Sequence, residues 1–297
     1  MTDQHCGVVA VVGAPNAGKS TLVNTIVGQK VAIVSPKVQT TRARLMGIAT
    51  EGDTQMILVD TPGIFTPKKR LERAMVNAAW EGTSGADLVL LLVDAKRGVT
   101  EDVEAIIERL AARDEPMMLI LTKIDLVPKN RLLPLSESLN ALAPFAETFM
   151  VAAPTGDGIG ELKETLAAAM PREPWHFPAD QVSNVTSRLL AAEVTREKLF
   201  LQLHQELPYA STVETESWVE GDNGTSIHQI VYVERDSQKG IVLGKGGSRI
   251  KQIGSDARAE LEDLFGTRVH LFLTVKVKAN WTESRDAYEN MGLDWSK

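Results

Sequence analysis

Residues 7–20 read "GVVAVVGAPNAGKS", a short apolar run that turns at once into a glycine-framed segment ending in lysine and serine. A run of this length reads as a buried strand. The pattern G-x-x-x-x-G-K-S from Gly13 to Ser20 therefore has the setting a phosphate-binding loop requires, between a strand and a helix. The backbone of Ala14, Pro15, Asn16, Ala17, Gly18, Lys19 and Ser20, running on into Thr21, is expected to converge on a β-phosphate at the positive end of the helix that begins near Gly18. Lys19 is expected to bridge β- and γ-phosphates, and the Ser20 hydroxyl to ligate Mg²⁺.

Further apolar runs follow at 55–60, 88–93, 117–122 and 147–151, separated by amphipathic stretches such as 102–113 and 161–170. Doubly buried strands alternating with helices predict a doubly wound, mostly parallel α/β sheet, whose function lies in the loops after the strand ends. A phosphate loop alone leaves ATPase, kinase and GTPase open. "TKID" at 122–125 decides between them. The Asp125 carboxylate can accept from both N1–H and the exocyclic amine of guanine, whereas adenine would leave it without partners. Lys123 can lay its stem along base and ribose, so the nucleotide is expected to be GTP or GDP.

"DTPG" at 60–63 closes the second parallel strand and fits a γ-phosphate sensor. Asp60 is expected to hold Mg²⁺ through water, and the Gly63 N–H to bond the γ-phosphate when present, with Thr61, Pro62 and Ile64 completing the segment. Loss of that phosphate would release the loop. In "SPKVQTTRARLMG" at 35–47, Thr40 or Thr41 is the expected second protein ligand of Mg²⁺, with Thr41 favoured by spacing. Lys19, Thr41 and Gly63 are the expected catalytic residues, with Asn16 a further candidate.

The 297 residues suggest two domains, and 43% hydrophobic with 24% charged residues gives the profile of a soluble globular protein. A formal net charge of -7 excludes a global attraction to nucleic acid, so any such site must be a local patch. Cys6, the single cysteine, excludes an internal disulfide and a cysteine-built metal cluster and suits a reducing cytosol. The N-terminus lacks signal-peptide features, and "LVLLLV" at 88–93 is far too short to span a bilayer. A cytoplasmic protein is expected. "PREPWHFP" at 171–178 holds three prolines and marks a boundary, giving a nucleotide domain over 1–172, a linker over 173–182 and a smaller α+β domain with a tail over 183–297.

In the second domain a helix is expected over 190–206, strands over 211–219, 227–235 and 268–277, and a helix over 248–264 directly after "GKGG". Gly244, Lys245, Gly246 and Gly247 match G-x-x-G, the loop with which KH domains clamp a nucleic-acid backbone. Five cations between 239 and 258 (Lys239, Lys245, Arg249, Lys251 and Arg258) stand against Asp256 alone, a local charge of +4. Ile241, Val242, Leu243, Ile250 and Ile253 can line a base groove or belong to the core. Lys276, Lys278 and Trp281 can extend the contact, though a core-edge role for Trp281 is as good a reading. His176, His204, His228 and His270 lack metal-ligand spacing.

These elements, "QTTR" and "DTPG" in particular, resemble the Era branch of the translation-factor class of GTPases. "REKLFLQLHQELPYASTVETESW", "VLGKGGSRIKQIG" and "VHLFLTVKVKANW" resemble that family's KH domain, of type II, and the helix leading into it. The resemblance spans roughly residues 5–292. It implies a slow, Mg²⁺-dependent GTPase, monomeric and cytoplasmic, whose KH domain binds the 3′ end of small-subunit ribosomal RNA during 30S maturation. It also implies peripheral association with the membrane. Three departures from common GTPase patterns stand out: Thr122 where asparagine is usual, "AAPTG" at 152–156 with only the Ala153 N–H left to bond guanine O6, and Ile64 where signalling GTPases place a catalytic glutamine. Ile64 is itself usual in the family. Related "PNAGKS" loops use the asparagine to bind K⁺ near the phosphates. Asn16 stands equally for that role and for a residue that tolerates a tight turn. The competing reading is a regulatory G protein whose C-terminal domain docks a protein effector.

Overall fold

The computed structural model describes residues 4–295, so the outermost residues of both expected domains lie outside the described ones. The chain divides into two compact units: one runs through Ala32, resumes over Thr41–Asn184 and again from Gly292; the other holds Ile33–Thr40 and Val185–Met291.

The first unit contains β1 (His5–Gly13), α1 (Lys19–Val27), β2 (Leu45–Glu51), β3 (Thr54–Asp60), α2 (Arg70–Glu81), β4 (Leu88–Asp94), α3 (Glu101–Ala111), β5 (Met117–Thr122), α4 (Leu132–Asn140), β6 (Thr148–Val151) and α5 (Ile159–Ala169). Its sheet has the order β2-β3-β1-β4-β5-β6, parallel except for the β2–β3 pair. Every residue of β4 is buried, as a strand covered on both faces requires. Two apolar layers flank the sheet, one built around Leu22, Leu58 and Leu162, the other around Trp80, Ile106 and Leu139. Helix α3 shows why such stretches become helices: Thr100 caps it by accepting from Val103 N, acids fill the first turn, and Val103, Ile106, Ile107 and Leu110 share the buried face.

Strand β2 was not expected. The preceding loop gives it no turn signal, and Gly47 interrupts its pattern, yet a Cβ at Gly47 would come within 2.9 Å of Val23 and Val27, so only glycine lets α1 pack there. The proline-rich segment expected as a linker is fastened to β3 and to the edge strand β2. Gln55, fully buried, accepts from His176 N and Phe177 N at 3.0 Å each and donates to Phe177 O at 2.9 Å. Ile48 N donates to Val182 O at 2.8 Å.

The second unit contains α6 (Ser187–Gln202), β7 (Ser211–Gly221), β8 (Gly224–Val233), α7 (Asp236–Leu243), α8 (Ser248–Phe265), β9 (Val269–Val277) and α9 (Arg285–Asn290). β8 pairs antiparallel with β7 and parallel with β9, the topology of a type II KH domain. Helices α6 and α8 cover one face, with Val194, Leu199, Ile253 and Leu261 buried. The short α7 was also not expected: Gly240 weakens its pattern, but the Gln238 side chain accepts from Glu234 N and Arg235 N, and Val242 anchors it. Residues Ile33–Thr40 lie on α6, where Val34 N donates to Glu197 at 2.8 Å and Lys37 donates to the carbonyls of Phe200 and Leu203.

Candidate nucleotide site and nucleic-acid interface

Parallel register brings Gly13, Asp60, Asp94, Thr122 and Val151 to the carboxyl ends of their strands, where ligands of doubly wound sheets bind. Gly13, with φ 150, sits so close to β4 that a Cβ would lie 2.5 Å from Leu92 O. Asn16 (φ 64) and Gly18 (φ 91) are left-handed, which curls Ala14–Gly18 into an open nest before α1 begins. Lys19, 6% exposed, donates to Gly13 O and Ala14 O at 3.1 and 3.0 Å. Burial lowers its pKa to about 8 against the pull of Asp60, so the ammonium stays charged at neutral pH, poised for an anion.

Ser20 Oγ donates to Asp60 Oδ2 at 2.7 Å and lies 2.9 Å from Thr41 Oγ1, which is 3.3 Å from the same carboxylate oxygen. Thr40 does not join them; its hydroxyl bonds Ser35 and Lys37 O. Asp60 is fully buried, its Oδ1 has no hydrogen-bond partner, and burial pushes its pKa up to about 6 despite the bond from Ser20 and the Lys19 charge. Two hydroxyls converging on a buried carboxylate with an orphaned oxygen fit a small hard cation that keeps part of its water shell. Among the described residues no cluster of three His, Cys, Asp or Glu side chains is placed to hold a metal, so this hydroxyl–carboxylate set is the metal candidate.

Thr61, Pro62, Gly63 and Ile64 are buried against the phosphate loop. Thr61 Oγ1 donates to Val11 O at 2.8 Å and Ile64 N to Gly13 O at 3.1 Å. A Cβ at Gly63 would lie 2.9 Å from Pro15, so this position can carry no side chain. The Ile64 side chain packs into the core and offers nothing to orient water.

Thr122 serves as a tie. Its hydroxyl donates to Ala17 O at 2.7 Å, joining the end of β5 to the phosphate loop, the part of the asparagine's work a hydroxyl can do. Lys123, left-handed at φ 58, donates to Asn16 O at 2.6 Å and pairs with Asp94 at 2.7 Å. Asp94 was not anticipated; its signal is an acid ending an apolar strand, which here fixes the lysine stem where a base would lie. Asp125 opens the following turn with its carboxylate exposed. The Ala153 turn lies alongside, because Thr122 pairs with Val151. Ala152 has no hydroxyl to brace that turn, but Thr155 supplies one, donating to Asp157 at 2.8 Å, while Ala152 N bonds Asp157 O.

In the second unit Gly244, Gly246 and Gly247 all have positive φ, and a Cβ on Gly246 or Gly247 would meet nothing within 4 Å. The loop is therefore open on the side a phosphate would approach. Lys245 and Lys251 are exposed. Arg249 is partly committed: its Nη1 donates to Ile241 O at 2.6 Å, capping α7. Val242 and Ile253 are fully buried and belong to the core, not to a groove; Ile241 is 50% exposed, and Ile250 lines an open groove between α8 and β9. Trp281 is 1% exposed with its indole N–H on Ala210 O at 2.9 Å, which settles the core reading. Trp281→Ala is expected to cost about 3–5 kcal/mol of stability in urea unfolding; a base-stacking tryptophan would instead lose RNA affinity at unchanged stability.

A guanine-selective phosphate-loop site and a KH module on one chain define a GTPase of the RNA-binding kind. Residues 8–123 match the 50S ribosome-binding GTPase family and residues 206–282 the KH domain family. The chain is 57% identical over 294 residues to GTPase Era of Afipia carboxidovorans, covering 99% of this chain and 96% of that one, and 55% identical to GTPase Era of Bradyrhizobium sp., with the same coverage. Its fold is similar, at a TM-score of 0.93 and 36% identity, to Era in complex with MgGDPNP and nucleotides 1506–1542 of 16S ribosomal RNA, over 97% of this chain and 99% of that chain. The same values hold for an Aquifex aeolicus Era variant bound to GDP·AlF4⁻. The chain belongs to the Era family of GTPases.

Proposed function

We propose that this GTPase uses its nucleotide cycle to control capture of the single-stranded 3′ end of small-subunit ribosomal RNA by the KH unit during 30S maturation. The observation that carries the reading is the open, triple-glycine Gly244–Gly247 loop at the start of α8, whose first turn carries Arg249 and Lys251. The related Era structure holding 16S ribosomal RNA supports it. Lys19 and the loop backbone Gly13–Thr21 hold the phosphates, Thr122, Lys123, Asp125 and Ala153 hold guanine, and Gly63 senses the γ-phosphate. Ser20, Thr41 and Asp60 hold Mg²⁺, which when bound neutralises charge on the phosphate oxygens. Lys245, Lys251 and the glycine backbone hold RNA phosphates. The protein works as a cytoplasmic monomer, with peripheral membrane contact as the family resemblance suggests; among the described residues no helix is long and apolar enough to cross a membrane.

Crosslinking in cells followed by sequencing tests this directly: reads should pile up at the 3′ end of the small-subunit RNA. An absence of RNA enrichment, with a protein crosslinked instead, would favour the protein-effector reading.

No side chain in the site is an evident general base, so intrinsic hydrolysis is slow. We assign part of the missing charge stabilisation to K⁺ held by Asn16. Hydrolysis should then run severalfold faster in K⁺ than in Na⁺ at equal ionic strength. Asn16→Gly, which keeps the left-handed turn, should erase the difference. Equal wild-type rates in both salts remove potassium from the mechanism and leave the GTPase intact.

A further inference from the structure

We propose that Phe272, backed by His228, is a stacking platform for one unpaired base at the strand-side rim of the α8–β9 groove. This rests on the RNA reading above and adds a subsite to it. Glycine loops of this kind grip the backbone; an aromatic ring on the edge strand is a different device.

Phe272 lies on β9 directly opposite His228 on β8 in the parallel register. The two rings stack with centroids 4.6 Å apart and planes 20° from parallel. One face of the phenyl ring is thus covered by imidazole, yet the side chain remains 52% exposed. Its neighbours along the strand explain the placement. Val269 and Val275 point into the core under α8, so Phe272, out of phase with them, projects from the opposite side of the pleat at the edge strand, around which the groove runs from α8. A phenylalanine left half exposed forgoes much of the gain that burial would bring in the free protein. Held flat by a second ring, it is ordered in advance, and its free face is the size and chemistry of a nucleobase.

The surroundings say which partner fits. Phe272 and His228 line the same open groove as Lys251 and Arg258 on α8, a cavity of about 640 Å³. Close approach of Gly254 to Leu273, at 3.4 Å from a would-be Cβ, keeps the helix wall against the strand. A strand of RNA leaving the glycine loop along α8 therefore has cations for its phosphates on one wall and an aromatic face for a base on the other. That pairing of charge with a π-face is how single strands are held without a sequence code. A protein partner would not need cations and a bare ring at this alternation.

The test uses the full chain, fluorescence anisotropy and an RNA of nucleotides 1506–1542 of 16S ribosomal RNA. Phe272→Ala should weaken binding on the order of tenfold or more, since each stacked base carries an effect of that size. Phe272→Trp should restore wild-type affinity or better. Phe272→Leu, which keeps the volume but not the π-face, should remain severalfold weaker even if the alanine variant folds poorly. The slope of log affinity against log salt should be unchanged in every variant, because no phosphate contact is lost. Wild-type affinity in both Phe272→Ala and Phe272→Leu, with the double Gly246→Asp/Gly247→Asp variant defective in binding, overturns the platform and spares the RNA reading. Failure of the wild-type chain to bind this RNA overturns both.

Discussion

Asp125→Asn should lose GTP and gain XTP. The carboxylate stands exposed at the first turn after β5, next to Lys123 and Thr122, which are bonded to the phosphate loop, so the proposed base reader and the loop share one edge of the sheet. Guanine offers two donors, N1–H and the 2-amino group, to its two oxygens. An amide keeps one acceptor and turns a donor toward the other position. Two charge-assisted bonds at about 1.5–3 kcal/mol each predict a loss of GTP affinity of roughly a hundredfold to ten-thousandfold. Xanthine replaces the amine with a carbonyl, which the new amide N–H₂ can satisfy, so XTP should bind the variant better than GTP does. Competition of labelled GDP by GTP and XTP measures the exchange. Because the side chain is exposed, circular dichroism should be unchanged. A variant that still prefers GTP at wild-type affinity removes Asp125 from base recognition.

Much of this edge was legible in the sequence because each motif sits where a strand ends, and strand ends in a parallel sheet align by register. "GAPNAGKS", "DTPG" and "TKID" are local signals whose meaning does not depend on distant partners. Asp94 was not legible in that way. Its role arises from pairing with Lys123, 29 positions along the chain, and a single acid at the end of β4 is common in any α/β domain. The aliphatic residues around "GKGG" divide by helix phase into buried Val242 and Ile253 and groove-facing Ile250, a division that composition cannot make. Trp281 was ambiguous for the same reason: charge beside it pointed outward, and only the bond to Ala210 O shows the ring turned in. Nor does periodicity reveal that residues 33–40 pack with α6 while Thr41 joins Ser20 and Asp60.

The second large effect concerns RNA. Replacing Gly246→Asp and Gly247→Asp together should abolish binding while GTP affinity stays at the wild-type value. Both glycines are left-handed, at φ 60 and 78, and a Cβ at either meets open space. The protein can therefore accept the side chains sterically, and aspartate is among the residues that tolerate this backbone region, at a modest strain cost. What fills is the approach path of the phosphates, and what enters it is negative charge beside Lys245, halving the local +4 excess. Together the two carboxylates should weaken the RNA complex by on the order of 2 kcal/mol or more, through lost cation neutralisation and direct repulsion. The control is the double alanine variant, which carries at least as much backbone strain without the charge and should keep much of the affinity. Anisotropy with a labelled single-stranded RNA reads the loss, and a thermal melt reads the fold. The residues assigned to the nucleotide belong to the other unit, so labelled GDP should bind all three proteins equally. If the folded aspartate variant binds RNA as wild type does, "GKGG" is only a turn capping α8, and the RNA contact must be sought on another surface of the chain.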